Sequence, residues 1–296
     1  MKVLLTGCAG FIGSHIAIAL LDRGHTVIGI DDHSTGSYKN IDAIRCSKNG
    51  ENFKWHKASV QGSVDWVLRE ESAHPITHIC HQAALGSIPR SLENPDDTFY
   101  ANVHSFHRLM EAARKNNIHR VVYASSSSIY GDAKNPYALS KQMNELVASM
   151  YSKAYGLHSV GLRYFNVFGP RQSADGGYAA VIPRWIDKIK AGEAIEMHGD
   201  GSQSRDFTYV GNVVWANLQA LEMGGVYEHM TFDVGCGVST RLETLALSIS
   251  SVLEQPLKVF HMPRRPGDKD MSCAVESPFF TNYEKTYLEE GLRLTI

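Results

Sequence analysis

The sequence predicts an α/β protein, a doubly wound parallel sheet followed by a smaller, loop-rich carboxy-terminal lobe. Three observations lead there. A short apolar run at residues 3–6 passes straight into Gly7-Cys8-Ala9-Gly10-Phe11-Ile12-Gly13 and then into an amphipathic segment. Short apolar runs keep alternating with longer amphipathic segments up to about residue 164. Beyond Asn166 the texture changes: Gly, Pro, Arg and aromatic residues crowd stretches such as Phe168-Gly169-Pro170-Arg171 and Pro263-Arg264-Arg265-Pro266-Gly267. Strands alternating with helices require right-handed crossovers, and so a parallel sheet covered on both faces.

In chain order, residues 3–6 read as a buried strand, 14–23 as a helix ended by Gly24, and 26–30 as a strand closed by Asp31. Residues 76–81 read as a strand, 96–116 as a helix, and 120–125 as a strand. A helix over 137–155 stops at Gly156, and 158–164 is a further strand. The expected domains are 1–165 and 166–296, with segments such as 231–234 returning to the first sheet.

The 296 residues are 43% hydrophobic with a formal net charge of −2. This is enough chain for two lobes with real cores. Near-neutral charge without a basic run argues against binding nucleic acid by phosphate neutralisation. The five cysteines form no CxxC pair, which excludes a zinc ribbon, a thioredoxin motif and a secreted disulfide frame. Cys8, Cys80 and Cys236 lie beside apolar stretches and read as buried thiols. The amino-terminal apolar run is too short for a signal peptide, and no stretch approaches the ~20 apolar residues of a membrane span. A cytoplasmic protein with no metal and no membrane contact is expected.

The glycine loop between a strand and a helix is the context of a Rossmann-type dinucleotide site. Glycines allow a tight turn and close backbone approach, and the helix start offers N–H groups to a pyrophosphate. Asp31, at the end of the second strand, suits both hydroxyls of an adenosine ribose and repels a 2′-phosphate; Asp32 and His33 follow it, with no arginine. This favours NAD over NADP. Tyr137 and Lys141 lie four residues apart, on one helix face, after the run Ser125-Ser126-Ser127-Ser128. A nearby ammonium favours phenolate, so Lys141 is expected to lower the Tyr137 pKa and make it a general base.

With these pieces in place, the chain resembles the extended short-chain dehydrogenase/reductase family. The resemblance rests on Thr6-Gly7-x-x-Gly10-x-x-Gly13, the serine run and Tyr137-x-x-x-Lys141. The stretches 83–91, 163–171, 178–183 and 199–207 make it similar to nucleotide-sugar epimerases, above all UDP-N-acetylhexosamine 4-epimerases. It implies Ser126, Tyr137 and Lys141 as the catalytic set. It implies NAD contacts at Gly7, Gly10, Phe11, Ile12, Gly13, Asp31, Asp32, Ser34, Gly36 and Ala83, besides Tyr137 and Lys141. For a UDP-sugar it implies Gly86, Ser87, Ser126 and Ser127 beside the sugar. Asn166, Arg205 and Arg265 are implied on the diphosphate, Ala180 and Val181 at the uridine and Asp268 on its ribose. Ser272 stands where the family gates the sugar 2-substituent; being small, it leaves room for an N-acetyl group.

The implied reaction is C4 epimerisation through a transient 4-keto sugar. The family's dehydratases carry acids just after the catalytic serine. Here Ser127 and Ser128 occupy those places, which disfavours dehydratase and decarboxylase chemistry. A reductase, or a binding protein that has lost turnover, are the other readings. About fourteen residues usual in the family between Gly131 and Tyr137 are absent. Ser59 replaces an acid expected near adenine, and the carboxy terminus lacks part of a usual final helix. A homodimer is implied through the helices at 96–116 and 137–155, where Phe99, Val103, Leu146, Met150 and Tyr151 are either interface or core.

Overall fold

A computed structural model describes the chain except residues 132–133, 175–178, 226–227, 265–269, 276, 278–279 and 281. It divides into two compact units: Met1–Arg163 with Val214–Phe232, and Tyr164–Val213 with Asp233–Ile296. The elements run β1 (Lys2–Thr6), α1 (Phe11–Asp22), β2 (Thr26–Asp31), α2 (Tyr38–Arg45), β3 (Phe53–Lys57), α3 (Val60–Glu70), β4 (His78–His81), α4 (Ile88–Glu93), α5 (Pro95–Phe99), α6 (Ser105–Lys115), β5 (Arg120–Ser126), α7 (Pro136–Tyr155) and β6 (Ser159–Tyr164). Then come β7 (Asn166–Phe168), α8 (Val181–Lys190), β8 (Ile195–His198), β9 (Ser204–Arg205), β10 (Phe207–Tyr209), α9 (Val210–Glu222), β11 (Met230–Val234), β12 (Thr240–Arg241), α10 (Leu242–Leu253), β13 (Val259–Met262), β14 (Met271–Ser272) and α11 (Leu288–Arg293).

The main sheet has seven strands in the order β11-β6-β5-β4-β1-β2-β3. From β3 to β5 every neighbouring pair is parallel. Val3, Leu4 and Leu5 are fully buried, which is why β1 reads as a continuous apolar run rather than an alternating one. Leu4, Ile28, Ile79, Val121 and Tyr123 meet Val64, Phe106, Leu109 and Tyr151 from α3, α6 and α7 in one core. Strand order reverses at β1, whose neighbours are β2 and β4, so a crevice opens beyond its carboxyl end.

Helix ends follow local chemistry. Gly24 and Gly156 take left-handed φ of 76° and 69° where α1 and α7 stop. Asn135 caps α7, its Oδ1 accepting the Ala138 N–H at 2.9 Å, and Pro136 fills the first helical position. The expected helix at 96–116 is instead α5, a π turn at Tyr100–His104, and α6. The turn accommodates Asn102, whose buried amide is committed elsewhere (below). The elements α2, β3, α3 and α4 were not expected. In α3 the spacing of Val60, Val64, Val67 and Leu68 was there to be read.

In the second unit, Phe168, Ile182, Trp185, Ile195, Phe207, Leu245 and Leu292 form a separate core. Its pairings are short: β7 with β10, β8 with β13, and β9 with both β12 and β14. Asp206, fully buried, organises them. Its carboxylate accepts the N–H groups of Cys236, Gly237 and Ala274 at 2.9, 2.8 and 3.1 Å. Among the described residues, no helix is long and apolar enough to cross a membrane, and no cluster of His, Cys, Asp and Glu could hold a metal ion. Cys8, Cys80 and Cys236 are buried, as expected.

Candidate active site

The crevice beyond β1 is walled by Gly7, Gly10, Asp31, Asp32, Ser34 and Ala83 among others. Gly7 has φ 72°, and a Cβ there would come within 2.7 Å of the Ala83 nitrogen. A Cβ on Gly13 would lie 2.0 Å from the Gly7 oxygen. Both positions therefore admit only glycine, and the loop stays close to the start of α1. Gly10 is the N-cap, and the N–H groups of Phe11, Ile12 and Gly13 have no intrahelical acceptor by position. No acidic side chain occupies that first turn. The arrangement suits a pyrophosphate.

Asp31 is 8% exposed. Its two oxygens accept the Ala9 N–H at 2.9 Å and the His33 N–H at 2.8 Å. Burial raises its pKa, while these N–H donors pull the other way. Each oxygen keeps a further lone pair for a ribose hydroxyl. Gly36 packs on Asp31 and Ala9, where a Cβ would clash with both at 2.9 and 2.7 Å. Asp32 turns back to the Ser34 N–H at 2.9 Å. His33 stacks on Tyr38 with centroids 4.1 Å apart, and Trp55 lies beside it at 5.1 Å. Residue patterning carries no sign of this aromatic wall, because its members come from three separate segments.

A larger hollow of about 510 Å³ lies at the opposite, amino-terminal ends of the strands, beside His78, His119 and Arg120. It is rimmed by Asn117 and Gly156, where α6 and α7 end. The carbonyl ends of helices repel anions, so this hollow is the wrong place for a pyrophosphate.

β5 ends at Ser126 and α7 begins one residue before Tyr137. The Ser126 hydroxyl lies beside Tyr137 and works to lower the phenol's pKa, and its Oγ accepts the Ser128 N–H at 3.1 Å. Lys141 is 2% exposed and donates to the Ala124 carbonyl at 2.9 Å. The expected lowering of the Tyr137 pKa by Lys141 is not what this geometry gives. Desolvation raises the half-buried phenol, and the offset comes from the Ser126 hydroxyl. Burial also pulls Lys141 down to about 8. The ammonium is spent on a strand-end carbonyl, which a four-residue spacing cannot reveal.

Asn102 was missed by sequence reasoning. It accepts the Leu85 N–H at 2.8 Å, donates to the Leu85 carbonyl at 3.2 Å, and donates to the Ser140 Oγ at 3.0 Å. Ser140 in turn donates to the Tyr137 carbonyl at 2.7 Å. One amide thus joins the strand-end loop at Ala83–Gly86 to the helix carrying Tyr137 and Lys141. An asparagine inside a predicted helix was the available clue. Ser87 caps α4, accepting the Arg90 N–H at 3.2 Å, while Gly86 is exposed and Ser127 half-buried.

In the second unit, strand pairing brings three of the expected substrate residues together. Ser272 on β14 sits opposite Arg205 on β9, and Asn166 on β7 opposite Phe207 on β10. The Asn166 amide donates to the Asp206 carbonyl at 3.3 Å. Arg205 donates to the Ser204 carbonyl at 2.8 Å. Ala180 caps α8 with Val181 as its first residue, and Val181 packs on the core. Arg265 and Asp268 lie outside the described residues.

Known proteins resemble this chain in sequence and in fold. The chain is 34% identical to a UDP-glucose 4-epimerase of Mycolicibacterium smegmatis, over 90% of this chain and 88% of that protein. It is 29% identical to Protein CapI of Staphylococcus aureus, over 99% and 96%. Among solved structures, it matches the UDP-N-acetylglucosamine 4-epimerase of Methanobrevibacter ruminantium in complex with UDP-N-acetylmuramic acid, with TM-score 0.90, 36% identity, and 99% and 96% coverage. It also matches the UDP-glucose 4-epimerase of Thermus thermophilus in complex with NAD, with TM-score 0.88, 31% identity, and 100% and 97% coverage. The profile of the NAD dependent epimerase/dehydratase family covers residues 3–235. With the glycine cradle, the buried aspartate and the Ser126–Tyr137–Lys141 constellation in one unit, this chain belongs to the NAD dependent epimerase/dehydratase family.

Proposed function

We propose that the protein interconverts C4 epimers of a UDP-sugar, with UDP-GlcNAc and UDP-GalNAc as its preferred pair and UDP-Glc and UDP-Gal as further substrates. The observation that carries this reading is Ser126 at the end of β5, set beside Tyr137 and buried Lys141 on α7, with Ser127 and Ser128 where an eliminating enzyme needs acids. The glycine loop and Asp31 would hold NAD, which would supply the acceptor and then the donor of the C4 hydride. Tyr137 takes the C4 hydroxyl proton and returns it to the C4 oxygen when hydride comes back to the opposite face of C4. Ser126 shares that proton's hydrogen bond and stabilises the phenolate. Lys141, with a pKa near 8, is a cation at neutral pH, and Asn102 fixes the helix that presents both groups.

Asn166 and Arg205, together with Arg265, bind the diphosphate; Ala180 and Val181 border the uridine, and Asp268 holds its ribose. Support comes from the strand pairing of Arg205 with Ser272 and from the fit of guanidinium forks to phosphate oxygens. Ser272 leaves space for a 2-acetamido group. Five free cysteines suit a reducing cytoplasm. Leu146 at 67% and Met150 at 44% exposure form an apolar stripe on α7 that suits a homodimer, whereas Tyr151 belongs to the core. Light scattering tests that assembly, and a monomer mass overturns it.

Proton NMR of the purified protein with UDP-GlcNAc and catalytic NAD tests the activity. UDP-GalNAc should appear with no net NADH, and Tyr137→Phe should lower the rate at least ~10²-fold. Consumption of the sugar with stoichiometric reductant, or loss of water from it, overturns epimerisation.

A further inference from the structure

Two half-buried side chains outside the catalytic set bind to both ends of the turn that carries Ser126. Glu145 lies on α7, four residues after Lys141 and eight after Tyr137, on the same helix face. Arg163 on β6 meets it in a bidentate pair, Nε to Oε1 at 2.9 Å and Nη2 to Oε2 at 2.7 Å. Glu145 Oε1 also accepts the Ser125 hydroxyl at 2.6 Å. The remaining guanidinium nitrogen, Nη1, donates to the Tyr130 hydroxyl at 2.9 Å, and the guanidinium lies 5.4 Å from that ring's centre. Residues 125 and 130 bracket Ser126 and the 3₁₀ turn Ser127–Ile129. One ion pair therefore holds the turn at its start and at its end, and anchors both to the helix that bears the catalytic tyrosine.

We propose that Glu145 and Arg163 are positioning residues, whose ion pair grips both ends of the serine turn and thereby sets the Ser126 hydroxyl against the Tyr137 phenol. The short connection from Gly131 to Pro136 gives this grip its importance. Few residues separate the turn from the helix, so a shift of the turn reaches Ser126 directly. Hydrogen-bond geometry at a reacting proton is lost within about 1 Å of displacement. Of the two bracketing residues, Ser125 is the one adjacent to Ser126, and Glu145 is its acceptor.

The inference rests on the epimerase reading, so wild-type turnover of UDP-GlcNAc is measured first; absence of turnover there counts against that reading alone. Glu145→Gln, Arg163→Lys and the double variant Glu145→Met/Arg163→Met are then compared. Each should lower kcat by about 10-fold or more while KM and retained NAD stay within about two-fold. The acid limb of the kcat–pH profile should move upward, because phenolate loses the Ser126 hydrogen bond. The double variant leaves no unpaired charge and should recover the melting temperature that Glu145→Gln loses, without recovering kcat. Unchanged kcat and acid limb in the folded variants overturns the proposal. So does recovery of kcat in the double variant, or loss of NAD in step with kcat.

Discussion

The two units hold their functional residues by different means. In the first, each group sits where a long element starts or stops: Ser126 at the end of seven-residue β5, Tyr137 at the second position of twenty-residue α7, and the glycine loop between β1 and α1. In the second, Arg205 and Ser272 lie on strands of two residues each, and their position depends on Asp206, one buried carboxylate with three backbone donors. On the proposed roles, chemistry is placed by regular structure and recognition by a polar hub. The first kind of support tolerates loss of single hydrogen bonds and fails by steric clash. The second has no such redundancy.

The largest effect should come from breaking the regular part. Gly13→Ala places a Cβ 2.0 Å from the Gly7 oxygen, and backbone must move. NAD retained through gel filtration should fall to background, about 10³-fold in affinity by titration, or the protein should fail to fold. Retention of bound NAD by this variant erases the contrast.

Next is the cost of burying Lys141. Its folded pKa, about 8, lies below the ordinary lysine value of 10.5, so the unfolded chain holds more protons between those values. Stability should therefore rise with pH from about 8 to 10.5, and the penalty is borne in full below 8. The size is up to about 3 kcal/mol, at about 1.36 kcal/mol per pH unit. In Lys141→Met, urea unfolding should lose that pH-dependent rise. An identical rise in both proteins shows that the ammonium is not desolvated.

The smallest effect should fall in the second unit. Arg205→Ala should raise KM for the UDP-sugar by about 10- to 100-fold, with NAD retention unchanged. An equal loss of bound NAD would mean that the division between chemistry and recognition does not follow the two units.

What could be read from the sequence follows the same division. The glycine loop, Asp31 and the Tyr137–Lys141 spacing were legible because their geometry is set within one strand, one turn or one helix. Asn102 was not, since the π turn that places it has no local signature and its partners Leu85 and Ser140 are distant in the chain. Neither was the state of Lys141. Spacing puts it beside Tyr137, but the Ala124 carbonyl, supplied by β5, decides where its charge goes. In the second half only motif resemblance marked Asn166, Arg205 and Ser272. Two-residue strands carry too little periodicity to be seen.

The return of residues 214–232 to the first unit sets an order of events during synthesis. Arg120 on β5 donates to the Ala220 carbonyl on α9, and the Gln82 amide, next to Ala83 of the cofactor crevice, donates to Asn217 at 3.0 Å. β11 completes the edge of the main sheet beyond β6. A chain halted at residue 165 already contains the glycine loop, Asp31, Ser126, Tyr137 and Lys141, yet it lacks α9 and the edge strand. The proposed catalytic residues thus leave the ribosome early, while the helix and edge strand that complete their unit follow only with residues 210–234. An excised amino-terminal half is accordingly a sheet with an open edge and exposed core, prone to aggregate before it can bind a cofactor.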